Sequence, residues 1–109
     1  MFDIKKKERL KWFTYEDDEK YLLKYMCDAD KEELKKLEKN QTKFQAKVLE
    51  YVVDWEGILD DGKPLKCNAE NKHLVLMQQE EWSAFRLTWI FQKIVNYELF
   101  FSFEDNLKN

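Results

Sequence analysis

The period of the apolar positions changes along the chain. From Arg9 to Tyr15, Leu10, Trp12 and Phe13 sit among polar residues in the manner of a strand. From Lys20 to Cys27 a second run, rich in Tyr, Leu and Met, alternates in part. The acidic triplet Glu16-Asp17-Asp18 separates them, so the two runs predict an antiparallel β-hairpin. Phe2 to Ile4 would add a short third strand.

Beyond residue 28 the spacing becomes helical. Asp30 and Glu33 stand at capping-box distance, which predicts a helix through Leu34 and Leu37 that ends near Asn40. Thr42 and Gln45 repeat the signal. Phe44, Val48, Tyr51, Val52 and Trp55 follow at steps of three or four and form one helical face. Gly57 is the expected stop, because glycine takes the left-handed C-cap conformation at little cost. Ile58 to Leu65 reads as a miniature hairpin or a tight loop turning at Asp61-Gly62, with Pro64 confining any strand there to an edge. Asn68 is a good N-cap for a third helix carrying Leu74, Val75, Leu76 and Met77. Glu80 to about Phe103 predicts a long last helix, and 104–109 a polar, frayed tail.

That last helix carries more apolar surface than one stripe needs. Leu87, Ile90, Phe91, Ile94, Val95 and Phe101 share one broad face. Trp82, Phe85 and Trp89 make a second stripe, which Phe100 and Phe103 continue past the polar break at Gln92, Lys93 and Asn96. Two arrangements remain open. Either the third helix and the hairpin cover both stripes, or one stripe stays free for a partner or for a second copy of the chain. The candidate partner-binding residues are therefore Trp82, Phe85, Trp89, Phe100 and Phe103.

Strands first and helices after predict an α+β fold: an N-terminal β-hairpin or small sheet, then about four helices, the last one long. A chain of 109 residues fits one domain, with a β-hairpin region over 1–28 and a helical region over 29–103. Aromatic residues reach 16%, a surplus that serves cores and interfaces alike. Charged residues make up 38%, yet the net charge is only −3 and the signs are interspersed. No basic patch tracks a phosphate backbone, so a nucleic-acid partner is not expected. No apolar run follows the N-terminus, so no secretory signal is expected. Arg86, Lys93 and Glu98 interrupt the apolar stretch from Phe85 to Phe103, which argues against a membrane span. Two cysteines without a signal point to free, buried thiols in a reducing compartment.

Catalysis finds little to work with. His73 is the single histidine and is expected to be partly exposed on a helix. Ser83 and Ser102 have no glycine-rich elbow, and no phosphate-binding glycine motif is present. Cys27, Cys67 and His73 lack the paired spacing of a zinc site. The acidic pairs Asp17-Asp18, Asp60-Asp61 and Glu80-Glu81 fall at turns or helix starts, where turn chemistry and the helix dipole account for them. Neither an enzyme activity, a cofactor nor a metal is expected.

The middle of the chain resembles a known family. Tyr51-Val52-Val53-Asp54-Trp55-Glu56-Gly57-Ile58, then Asp61-Gly62-Lys63-Pro64-Leu65, then Cys67-Asn68-Ala69-Glu70-Asn71 is similar to a pattern in the tail assembly chaperones of long-tailed phages. The upstream order is similar too: an aromatic strand, an acidic turn, a second strand and an acidic helix around Glu32-Glu33-Leu34. The polar end Glu104-Asp105-Asn106-Leu107 also fits. The chain departs from the pattern at Asn68 and Ala69, where threonine and proline are favoured, but both residues suit a helix start. The resemblance implies a phage or prophage protein of the bacterial cytoplasm that holds the helical tape-measure protein until tail-tube subunits polymerise around it. It implies no catalytic residues; Trp55 would close a helix, Gly57 cap it and Asp61-Gly62 make the turn. A structural virion component, such as a minor tail or head–tail connector protein, is the alternative.

Overall fold

The computed structural model describes residues 10–101. The order of elements is β1 (Leu10–Glu16), β2 (Glu19–Lys24), α1 (Asp28–Lys35), α2 (Gln41–Leu49), β3 (Val52–Glu56), β4 (Leu59–Asp60), β5 (Lys63–Pro64), α3 (Ala69–Leu76), α4 (Glu81–Val95) and α5 (Tyr97–Phe100). The fold is α+β, an antiparallel sheet in the order β1-β2-β3 with helices following its first hairpin. Two expected features, the strand at Phe2–Ile4 and the polar tail at 104–109, lie outside the described residues.

The first hairpin forms where the alternation places it. Phe13 faces Tyr21 and Trp12 faces Leu22. Asp17 makes the turn at φ 46°, a left-handed value that aspartate tolerates better than most residues. Tyr21 and Leu23 are fully buried, and Phe13 nearly so, which sets the inward face of the sheet.

The third strand corrects the helix expected through Trp55. Helix α2 stops at Leu49, and Val52–Glu56 pairs antiparallel with β2 instead. The cause is a bulge. Leu22 pairs with Asp54 and Leu23 with Val52, so Val53 is left unpaired between them. An extra residue in a strand turns the side chains after it over. Val52 and Trp55 therefore both point inward although they are three apart, a spacing that mimics a helical face. Gly57, expected as a helix cap, instead follows the strand at φ 79°. A Cβ there would lie 2.3 Å from the Asp18 carbonyl oxygen, so only glycine lets this segment pass the β1–β2 turn.

The helix starts also differ from expectation. Cys27, not Asp30, is the N-cap of α1, and it makes no side-chain capping bond. Asp30 lies inside the first turn, where its carboxylate accepts from the Cys27 thiol at 3.3 Å. Asn40, not Thr42, caps α2 by accepting the Lys43 amide at 3.1 Å. Asparagine is the stronger cap, so the helix starts at the earlier residue. Asn68 caps α3 as expected, accepting from the Asn71 amide at 2.8 Å. The β4–β5 hairpin turns at Asp61 and Gly62, both with positive φ.

The long last helix is broken. Helix α4 ends at Val95, Asn96 is extended, and its side chain caps α5 by accepting the Leu99 amide at 3.1 Å. The Ile94 carbonyl accepts from the Met26 amide, 2.9 Å away, instead of from a following turn of helix. The break swings Phe100 into the core, 5.1 Å from Phe13 and 5.4 Å from Tyr25 between ring centres. One connected core results, running from Tyr21 and Leu23 through Val48, Val52 and Leu76 to Ile90, Ile94 and Phe100.

Candidate functional site

The aromatic stripe of the last helix divides when it meets the sheet. Trp89 is half-buried against Phe13, Tyr15 and Tyr21, with ring centres 5.1–6.4 Å apart. Phe100 is fully buried and belongs to the core, not to a binding face. Phe103 lies outside the described residues. Trp82 and Phe85, one turn of α4 apart, remain 45% and 60% exposed. The difference lies in their neighbours: Trp89 packs on three aromatic rings of the sheet, whereas Trp82 and Phe85 border an open hollow between α4 and the end of β1.

Around Trp82 the chain forms a groove of about 530 Å³. One wall is the segment Ile58–Asp60 with Leu65, a second is α3 through Leu74 and Val75, and a third is α4 through Trp82 and Arg86. Leu59 and Leu74 are 60% and 53% exposed, so apolar side chains stand open on two of these walls. A neighbouring hollow shares Trp82 and Arg86 and adds Tyr15, Glu16, Glu80, Glu81 and Phe85. Leu59, Leu74, Trp82 and Phe85 thus surround two adjoining concavities. Contiguous exposed apolar surface of this kind marks binding sites more often than it occurs at random.

An ion pair and its hydrogen bonds tie the base of the groove together. Arg86 donates through Nε to Glu19 Oε2 at 2.6 Å and through Nη2 to Oε1 at 2.8 Å. Its Nη1 donates to the Trp82 carbonyl at 2.9 Å, and its guanidinium lies 4.7 Å from the Tyr15 ring centre. Tyr21 donates its hydroxyl to the same Glu19 carboxylate. Burial alone would raise the Glu19 pKa, but the hydrogen bonds from Arg86 and Tyr21 outweigh it and hold the carboxyl below its ordinary value. Burial, then the Glu19 contact, pushes the Tyr21 hydroxyl up. The Glu19 hydrogen bond likewise raises Arg86, so both charges persist across the physiological range. A bidentate pair of this type fixes side chains as well as binding charge.

The residues weighed for chemistry do not converge. His73 is exposed, and Cys27 is exposed rather than buried. Cys67 is half-buried, and burial pushes its thiol up, away from the reactive thiolate. Ser83 is fully buried and accepts the Gln78 amide at 3.1 Å, a structural duty. Among the described residues no group of three or more His, Cys, Asp or Glu is placed to hold a metal ion. No helix among them is long and apolar enough to cross a membrane.

Several features of the groove were not visible in the sequence. Glu19 and Arg86 are 67 positions apart and meet only through the fold. Arg86 does leave a trace, as the one charged residue between Trp82 and Trp89. In sequence, Leu59 belongs only to the short turning segment 58–65 and Leu74 only to the third helix; nothing there places them at one groove. The outer side of the sheet also carries apolar residues: Trp12 and Val53 are about two-fifths exposed beside Leu22. No protein-family model, curated protein or solved structure matches the chain.

Proposed function

We propose that the chain is a protein-binding factor without catalytic activity, and that the groove around Trp82 takes an apolar-faced helical segment of its partner. The observation that carries this reading is the exposed set Leu59, Leu74, Trp82 and Phe85, arranged over a base that Glu19 and Arg86 tie together. A pre-organised base lowers the ordering cost of binding, and an apolar groove between helices and a hairpin suits a helix laid along it. The resemblance across 51–71 supplies the biological setting. On it, the protein is a phage or prophage tail assembly chaperone, acts in the bacterial cytoplasm, and binds helical segments of the tape-measure protein.

Co-expression with the tape-measure protein of the same genome tests the reading. A soluble complex is expected, and Trp82→Ala with Phe85→Ala should dissolve it while unfolding stays cooperative. If the double variant binds as well as the wild type, the groove is not the site. Mass spectrometry of purified particles separates the chaperone from a structural virion component. The chaperone should be absent from the finished particle, and its presence in stoichiometric amount would assign it to the virion.

A further inference from the structure

We infer that the segment the groove accepts is basic: an amphipathic helix whose apolar face meets Trp82 and Phe85 and whose flanking lysines or arginines meet carboxylates on the rim. The inference rests on the proposed binding of a helix in this groove and adds its charge. Five acids line the two adjoining hollows, Glu16, Glu19, Asp60, Glu80 and Glu81, against a single base, Arg86. Glu19 uses up that base. Glu16, Asp60, Glu80 and Glu81 have no ion-pair partner among the described residues.

The contrast with α1 is informative. There Asp28, Glu32 and Glu33 each pair with a lysine three positions on, Lys31, Lys35 and Lys36. That surface neutralises itself. The groove rim does not, although the chain contains 19 basic residues. Local duty does not fully absorb the rim acids either. Glu80 stands at the N-cap of α4 yet makes no capping hydrogen bond. A helix N-terminus favours negative charge, and Asp60 stands opposite Lys63 across the β4–β5 turn, but neither accounts for Glu16 on β1. Glu16, Glu80 and Glu81, unpaired beside the exposed Trp82 and Phe85, match a partner that carries the opposite charge beside an apolar face. Rim charges of this sort govern association rate and partner choice more than total affinity.

The test uses the full chain and two designed helical peptides with one shared Leu/Phe face, one bearing lysines on its polar face and the other glutamates. Binding is followed by anisotropy of a dye on the peptide. The lysine peptide should bind about tenfold tighter at low salt, and the gap should close at about 0.5 M salt as the charges are screened. Glu16→Gln, Glu80→Gln and Glu81→Gln together should remove the gap while the far-ultraviolet dichroism is unchanged. Trp82→Ala with Phe85→Ala should abolish binding of both peptides. Equal binding, or tighter binding of the glutamate peptide, overturns the charge inference and leaves helix binding standing. Absence of saturable binding by either peptide overturns both. Concentration-dependent dimerisation that the Trp82 and Phe85 substitutions abolish would make a second copy the occupant, and would also overturn the inference.

Discussion

Gly57 and Gly62 provide a matched pair for measuring what a close approach is worth. Both have φ of 79°, so alanine at either position enters the left-handed region. That conformation costs a side-chain-bearing residue about 1–2 kcal/mol. Their surroundings differ. An alanine Cβ at Gly62 would meet nothing within 4 Å, whereas at Gly57 it would sit 2.3 Å from the Asp18 oxygen and 2.7 Å from its carbonyl carbon. Both are backbone atoms, so relief requires β3 and the β1–β2 turn to move apart. Forced overpacking of this kind adds about 1–3 kcal/mol. Gly62→Ala should therefore lose about 1–2 kcal/mol, and Gly57→Ala about 2–5 kcal/mol, a large part of the ~5–15 kcal/mol typical of a small domain. Urea unfolding at 25 °C, followed by tryptophan fluorescence, reads both. The displacement should also reach the groove, because Glu19 follows Asp18 directly and holds Arg86. Equal losses at the two glycines would refute the reasoning, since they would leave the conformational penalty as the whole effect.

Glu19→Gln should cost about 2 kcal/mol, the scale of a charge-assisted hydrogen bond left half-satisfied, measured by the same unfolding. Glu19 and Asp30 both titrate below their ordinary values of 4.5 and 3.8, Asp30 because hydrogen bonds from Tyr51 and Cys27 outweigh the effect of its burial. Each therefore stabilises the fold fully above its ordinary value and loses that contribution as pH falls through the lower folded value. Unfolding midpoints should drop below about pH 4.5, and Glu19→Gln should flatten that acid limb. Trp89→Ala should cost about 3–5 kcal/mol through loss of its aromatic neighbours, whereas Trp82→Ala should cost under about 1 kcal/mol and act on binding instead; thermal melts distinguish the two. Cys27 should react with a chromogenic disulfide well before Cys67, whose thiol is shielded and pushed up by burial; one-phase release of both thiols would contradict this.

The hairpin of β1 and β2, the turn at Asp61-Gly62 and the cap at Asn68 were legible because each depends on neighbours in sequence. The two largest departures, at the third strand and at the last helix, share one cause, which is tertiary context. The inward positions Val52 and Trp55 carry helical spacing because a bulge opposite Leu22 and Leu23 inserts a residue. Nothing local to 44–55 reports that bulge, which exists only in the pairing of β3 with β2. The unbroken last helix failed in the same way. Asn96 reads as a tolerable helix residue until Met26 takes the Ile94 carbonyl and Phe100 finds its place against Phe13. The excess of apolar faces was real in sequence, but the fold decided how it was shared. Trp89 and Phe100 went to the core, and Trp82 and Phe85 stayed at the surface.

The stretch 51–71 takes on a different meaning once it is folded. Trp55 is nearly buried, lies 6.4 Å from Tyr21 between ring centres, and donates its indole N–H to the Leu65 carbonyl at 2.7 Å. Tyr21 in turn holds Glu19, which holds Arg86. One chain of contacts thus links the strand to the β4–β5 hairpin on one side and to α4 on the other. The hairpin presents Leu59 to the groove, and α4 presents Trp82. Trp55 is therefore a positioning residue for both walls at once. Replacing it with phenylalanine keeps most of the apolar volume but removes the hydrogen bond to Leu65, so the hairpin should loosen before the core does. Hydrogen exchange would report this as faster exchange at Leu65, whose amide donates to the Ile58 carbonyl at 2.9 Å, with protection at Leu23 retained. Equal loss of protection at both amides would mean that the indole nitrogen has no separate role in holding the groove.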